Sequence, residues 1–170
     1  MKMYKRIVAI LSVALISVSC SSDKNEAEAE VVVSSEAILG TWDATELKID
    51  NTTASDNSKF AKGVLDLLTE KECYIVTLQF NEDLTATATN SASYVELDVS
   101  GSNFNVPCPT ESDEQSSTYT FDGTTVTTVD SDGKVLNIDV AISGDVMTVD
   151  ATDLEIPNFS DEGQLIFVRR

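Results

Sequence analysis

"TYTFDGTTVTTVDSDGKVLNIDVAISGDVMTVD", residues 118–150, decides the fold. Turn pairs stand at Asp122-Gly123, Asp132-Gly133 and Gly144-Asp145. Asp-Gly and Gly-Asp supply the positive φ that tight hairpins require. Short segments rich in threonine and valine run between the turns. Leu136, Ile138, Val140 and Ile142 alternate with Asn137, Asp139 and Ala141, which gives one buried face and one wetter face. Turns recurring at this short spacing predict an up-and-down meander of four antiparallel strands.

The same signals extend outward in both directions. Upstream, Val76, Leu78 and Phe80 alternate with Thr77 and Gln79, and a turn at Asn81 to Asp83 leads into "LTATAT". Small residues dominate Thr85 to Ser93, which predicts a crowded or sharply curved strand. Val95, Leu97 and Val99 alternate with Glu96 and Asp98 and predict another strand. Downstream, "QLIFVRR" closes the series. The first strand spans Gly40 to Ile49, and its apolar period breaks between Ala44 and Leu47, predicting a bulge. One stretch reads differently. In "SDNSKFAKGVLDLLTEKE", Phe60, Val64, Leu67 and Leu68 form a helical stripe, with Asn57 or Ser58 as its cap. Gly63 weakens that helix by about 1 kcal/mol relative to alanine. The total is an all-β chain of about eight strands with one short helix after the first. So many short strands must hide their edges, and closure into an antiparallel barrel does this best. A two-sheet β-sandwich is the alternative.

The N-terminus carries an address. Lys2, Lys5 and Arg6 precede an apolar run from Ile7 to Ser19 that is too short to span a bilayer comfortably. The run breaks at Cys20 in "SVSCSSD". This resembles a bacterial lipoprotein signal, in which residues 1–19 are removed and Cys20 takes the lipid. Ser21 after that cysteine resembles cargo sent onward to the outer membrane, facing either the periplasm or the outside. Residues 20–36, with repeated Glu-Ala and no aromatic side chain, read as a flexible acidic tether. Cleavage removes three positive charges and no acid, taking the formal charge from −18 to about −21. Such a surface repels nucleic acid. Residues 37–170 form one domain, large enough for a real core. After lipidation Cys73 and Cys108 remain. Export exposes them to oxidation, so they are expected to pair, closing a loop worth roughly 4 kcal/mol in the chain-entropy picture.

The chain has no histidine, which removes histidine-based triads and histidine-ligated metals. It has no phosphate loop or dinucleotide fingerprint. Asp130-Ser131-Asp132-Gly133 resembles the middle of a calcium loop, but its place between two strands already explains it as a hairpin turn. Among 29 acidic residues no spacing singles out a catalytic pair. The sequence therefore reads as that of a non-enzymatic protein with no cofactor and no metal.

Gly40-Thr41-Trp42, the meander, and a last strand ending in arginine resemble the lipocalin-like proteins, most closely small bacterial lipocalin-like lipoproteins. Cys73, Phe80, Asp83, Cys108 and Tyr119-Thr120-Phe121 extend the likeness. Asp83-Leu84 departs from it, because Asp-Gly is common at that point. The helix after strand one and the long "ATDLEIPNFSDEGQ" before the last strand also depart from it. The resemblance implies that Trp42 plugs the closed end of the barrel, with Gly40 at the chain's approach and Arg169 or Arg170 packed over the ring. It implies an interior that encloses a small apolar molecule, with Val76, Leu78, Phe80, Val95, Leu97, Tyr119, Phe121, Leu136, Ile138 and Val140 as candidate lining. A solid-cored envelope protein that makes protein contacts through its loops, notably Ser100 to Ser116, is the alternative.

Overall fold

The computed structural model describes residues 35–100, 103–130, 132–154 and 161–170. The expected signal, Cys20 and the tether up to residue 34 lie outside the described residues. In chain order the elements are β1 (Gly40–Lys48), α1 (Asp56–Glu70), β2 (Val76–Phe80), β3 (Thr85–Asn90), β4 (Asp98–Ser100), β5 (Asn103–Asn105), β6 (Asp113–Phe121), β7 (Thr125–Val129), β8 (Val135–Ser143), β9 (Val146–Asp150) and β10 (Gln164–Arg169). Eight of the ten strands close into an antiparallel barrel in the order β1-β10-β9-β8-β7-β6-β3-β2. The barrel is the predicted all-β architecture, with the helix after the first strand, and a sandwich is not formed. β1 pairs with both β2 and β10, so the first and last strands meet. The register of β1 on β10 slips between Ala44 and Glu46, a bulge where the apolar period breaks.

Apart from the closing pair β1–β10, barrel neighbours follow one another in sequence except β3 and β6. Between them the chain makes an excursion through a 3₁₀ turn (Ala92–Tyr94) and the separate β4–β5 ribbon. Here the expected strand over Val95, Leu97 and Val99 is corrected. Only Asp98–Ser100 is extended, and Leu97 is 46% exposed, away from the barrel interior. Alternation gave the right period for too short a piece. Val95 packs with Val64, Leu68 and Val106 in a second small core under α1. The disulfide between Cys73 and Cys108, Cα–Cα 5.6 Å, pins the excursion to the end of the helix. Lys71 Nζ adds a hydrogen bond to the Val106 carbonyl at 2.6 Å. The segment from Ser100 to Ser116 is thus partly folded onto α1 rather than free.

The helix exists where the stripe placed it, but its buried face is rotated. Ser58, Val64, Leu65 and Leu68 are buried, while Phe60 and Leu67 are exposed. The helix serves two cores at once: Leu65 joins the barrel core, and Val64 and Leu68 join the second. The cap is Ser55, whose Oγ accepts from Ser58 N at 3.2 Å, not Asn57 or Ser58. Asp161 accepts from both the backbone N–H and the hydroxyl of Ser55, tying the returning chain to the positive end of the helix.

A repeated device shapes the strand ends. In Asp50-Asn51-Thr52, Asp83-Leu84-Thr85, Asp122-Gly123-Thr124 and Asp150-Ala151-Thr152, the aspartate Oδ1 accepts from the N–H and the hydroxyl of the threonine two residues on. Each is a side-chain mimic of a backbone turn. At Asp50, Asp83 and Asp150 the threonine hydroxyl and then its N–H hold the carboxyl below its ordinary pKa. At Asp122 the N–H groups of Thr124 and Thr125 do so first. At one of these turns, Leu84 sits in the left-handed region at φ 63°, half exposed. A side chain there costs roughly 1–2 kcal/mol.

Two outcomes are expected. Leu84→Gly raises the unfolding free energy by about 1 kcal/mol in urea titration, because the glycine's extra unfolded-state entropy offsets only part of the relieved strain. The four turn aspartates have lower pKa values folded than unfolded. Their contribution is therefore complete above the unfolded value of about 4 and is lost as pH falls through the folded values. Calorimetry should show a steep fall in melting temperature on acidification below about pH 4. The variant with all four changed to asparagine should show a shallower fall over the same range.

Candidate functional site

The core runs along the barrel axis, and its two ends differ. At the end where β1 begins, Trp42 is fully buried and donates from Nε1 to the Ile38 carbonyl at 2.7 Å. That carbonyl belongs to a 3₁₀ turn, Ser35–Ile38, just ahead of β1. The guanidinium carbon of Arg169 lies 4.1 Å from the centre of the tryptophan ring, and its two terminal nitrogens donate to the carbonyls of Leu39 and Ala37. Gly40 has φ 114°, and a Cβ there would meet Arg169 Nη1 at 3.3 Å. The glycine therefore provides both the backbone conformation and the space for the arginine. Arg170 lies elsewhere. It grips buried Asp43 on the barrel wall at 2.8 and 2.6 Å, and Thr77 Oγ1 donates to the same carboxylate at 2.7 Å. That carboxylate raises the pKa of Arg170 further.

Above this plug the interior holds a cavity of about 220 Å³. Of the expected lining residues, Leu78, Phe80, Tyr119, Leu136, Ile138 and Val140 form its wall. Val76 and Phe121 pack against the barrel core without reaching the cavity. Val95 and Leu97 lie outside it, in the excursion between β3 and β6. Sequence reasoning missed Val126, Met147 and Val149, which face inward from β7 and β9. It also misread β3. Ala86 and Ala88 line the cavity, directly paired with Phe80 and Leu78 on one side and with Ser117 and Gln115 on the other. Small side chains here mark unfilled volume rather than crowding.

The wall is mostly apolar, and its buried polar groups are engaged. Phe80 and Tyr119 meet edge to face at 5.0 Å, and Tyr119 Oη donates to the Asn81 carbonyl at 3.2 Å. Burial pushes the Tyr119 phenol pKa up. Ser117 and Thr128 hydrogen-bond to each other at 2.7 Å. Among the described residues no buried side-chain nitrogen or oxygen lacks a partner. Such a wall offers dispersion contact and asks for no polar atom deep inside.

The cavity opens where the β-ladders stop. β6 pairs with β7 only from Tyr119 to Phe121, and β8 pairs with β9 only from Val140 to Ser143. β8 therefore parts from β9 toward the hairpin turn, and β6 runs on past the end of β7. Side chains stitch these two seams. Thr128 Oγ1 donates to the Thr118 carbonyl at 3.0 Å, and Asp153 Oδ2 accepts from Asp139 N at 3.2 Å. Gln115, Val129, Asp130, Asp153 and Leu154 complete the lining at this end. Gly133, at φ 84°, makes the hairpin turn, and Asp130 Oδ1 accepts from Asp132 N and Lys134 N. Among the described residues no group of metal-ligating side chains comes together.

No protein-family model, curated protein or solved structure matches this chain.

Filling the cavity tests its dryness. Ala88→Val adds two buried carbons at a strand position suited to a β-branched residue. It should stabilise the protein by about 1 kcal/mol in urea titration if the space is empty and apolar.

Proposed function

We propose that this chain is an exported, lipid-anchored protein of lipocalin-like type that holds a small apolar molecule inside its barrel and carries out no catalysis. The observation that carries this reading is the apolar-walled cavity of about 220 Å³ between β3, β6, β7, β8 and β9. The Gly40–Trp42–Arg169 plug supports it, because a barrel sealed at one end and seamed at the other is a cup. Cys20, in its lipoprotein-like signal, supports attachment to the outer membrane, with the acidic stretch after it as tether. The strongly negative surface supports solubility at a crowded membrane face and argues against a nucleic-acid partner.

Size narrows the ligand. A cavity of about 150 Å³ suffices for one benzene ring, while drug-sized ligands occupy roughly 300–1,000 Å³. The barrel suits a single-ring compound or a short alkyl chain, not a long-chain fatty acid held at full length. Titration calorimetry with neutral n-alcohols tests this. Affinity should rise about fourfold per added carbon, following burial of roughly 0.8 kcal/mol per methylene, and stop rising near eight carbons. Absence of saturable binding across the series, or unchanged binding in Ala88→Leu, would remove the cavity as the functional site.

A further inference from the structure

The cavity carries more information than its volume, because its mouth is charged and its floor is not. We infer that it selects a molecule with a short apolar body and a cationic, ammonium-type head. This inference rests on the binding function proposed above and specifies the head of the ligand that site takes. Among the described residues that line the cavity, Asp130 and Asp153 are acidic and none is basic. Asp130 lies in the turn of the β7–β8 hairpin, and Asp153 follows β9 and accepts from Asp139 N of β8. Both belong to the half of the lining that includes Gln115, Val129 and Leu154, while Leu78, Phe80, Val126 and Met147 form the apolar part. A ligand whose tail fills the apolar half brings its head beside these carboxylates.

None of the described basic residues lines the cavity. Lys48 ends β1, Lys59 and Lys62 are on α1, Lys71 is at its end, Arg169 is stacked on Trp42, and Arg170 is paired with Asp43. Lys134 is the cation nearest in sequence to the mouth. It lies in the turn after Asp130 and does not line the cavity. The net charge of −18 adds a field of the same sign around the mouth. An anionic head would have to lie beside two carboxylates with no basic partner in the wall. A cationic head gains attraction there while its tail gains burial.

The test holds the tail constant and changes only the head. Octylammonium, 1-octanol and octanoate are titrated into the purified protein at pH 7 in low salt. Octylammonium should bind about tenfold more tightly than octanoate, with octanol between them, as expected for partly exposed charge pairs at a few ångströms. The difference should shrink toward unity in about 1 M salt. Asp130→Asn with Asp153→Asn keeps the oxygen acceptors of both turns. It should collapse the ammonium preference and leave octanol affinity unchanged. Ala88→Leu should weaken all three ligands together.

If octanol binds but octylammonium is no tighter than octanoate, the head selection is overturned and the cavity reading stands. If octanol fails to bind, the cavity reading falls and this inference falls with it. If octylammonium binds equally well to Ala88→Leu, it is held by surface acids, and the inference is overturned.

Discussion

One guanidinium joins the first and last strands of the barrel. Arg169, on the last strand, stacks on Trp42 of the first and donates to carbonyls of the segment ahead of it. It also approaches Asp145, in the turn between β8 and β9, at 3.4 Å. A single side chain therefore couples the start of β1, the end of β10 and a hairpin from mid-chain. Arginine suits this place because its flat cation stacks on an aromatic face while its edge donates several hydrogen bonds. A lysine could not fill both roles. The contact is also among the longest-range in the chain, so it repays its loop-closure entropy only once the intervening strands are in place.

Closing the barrel does not fill it. A cavity of about 220 Å³ remains inside it. The disulfide from Cys73 to Cys108 contributes about 4 kcal/mol by restricting the unfolded chain. The second core under α1, built on Val64, Leu68 and Val106, lies at the same place as that link. The covalent link and the cavity thus lie in different parts of one domain.

The barrel was legible because its signals are positive. Asp-Gly and Gly-Asp pairs mark turns, alternation marks strand faces, and the lone tryptophan after a glycine marks the plug. The helix was legible in existence but not in orientation. A stripe such as Phe60-Val64-Leu67-Leu68 assumes one partner, whereas this helix meets two and leaves Phe60 outside. Leu97 failed for a related reason, since alternation does not say which sheet a short strand joins. The cavity was the least legible part, because a void is recorded as missing bulk. Ala86, Ala88 and Ser117 read as ordinary small residues until pairing brings them side by side. The Asp-x-Thr turns were present in the letters throughout. Their regularity at strand ends was the signal that could have found them.

The seams have a consequence for how the protein behaves among its own copies. Where β6 parts from β7, residues 113–117 present a strand edge with no ladder partner on that side. Such an edge is a template for another chain. The stretch begins Asp113-Glu114, both exposed, so an approaching copy would bring the same charges to the same line. Acidic side chains on an unpaired edge disfavour that pairing by like-charge repulsion.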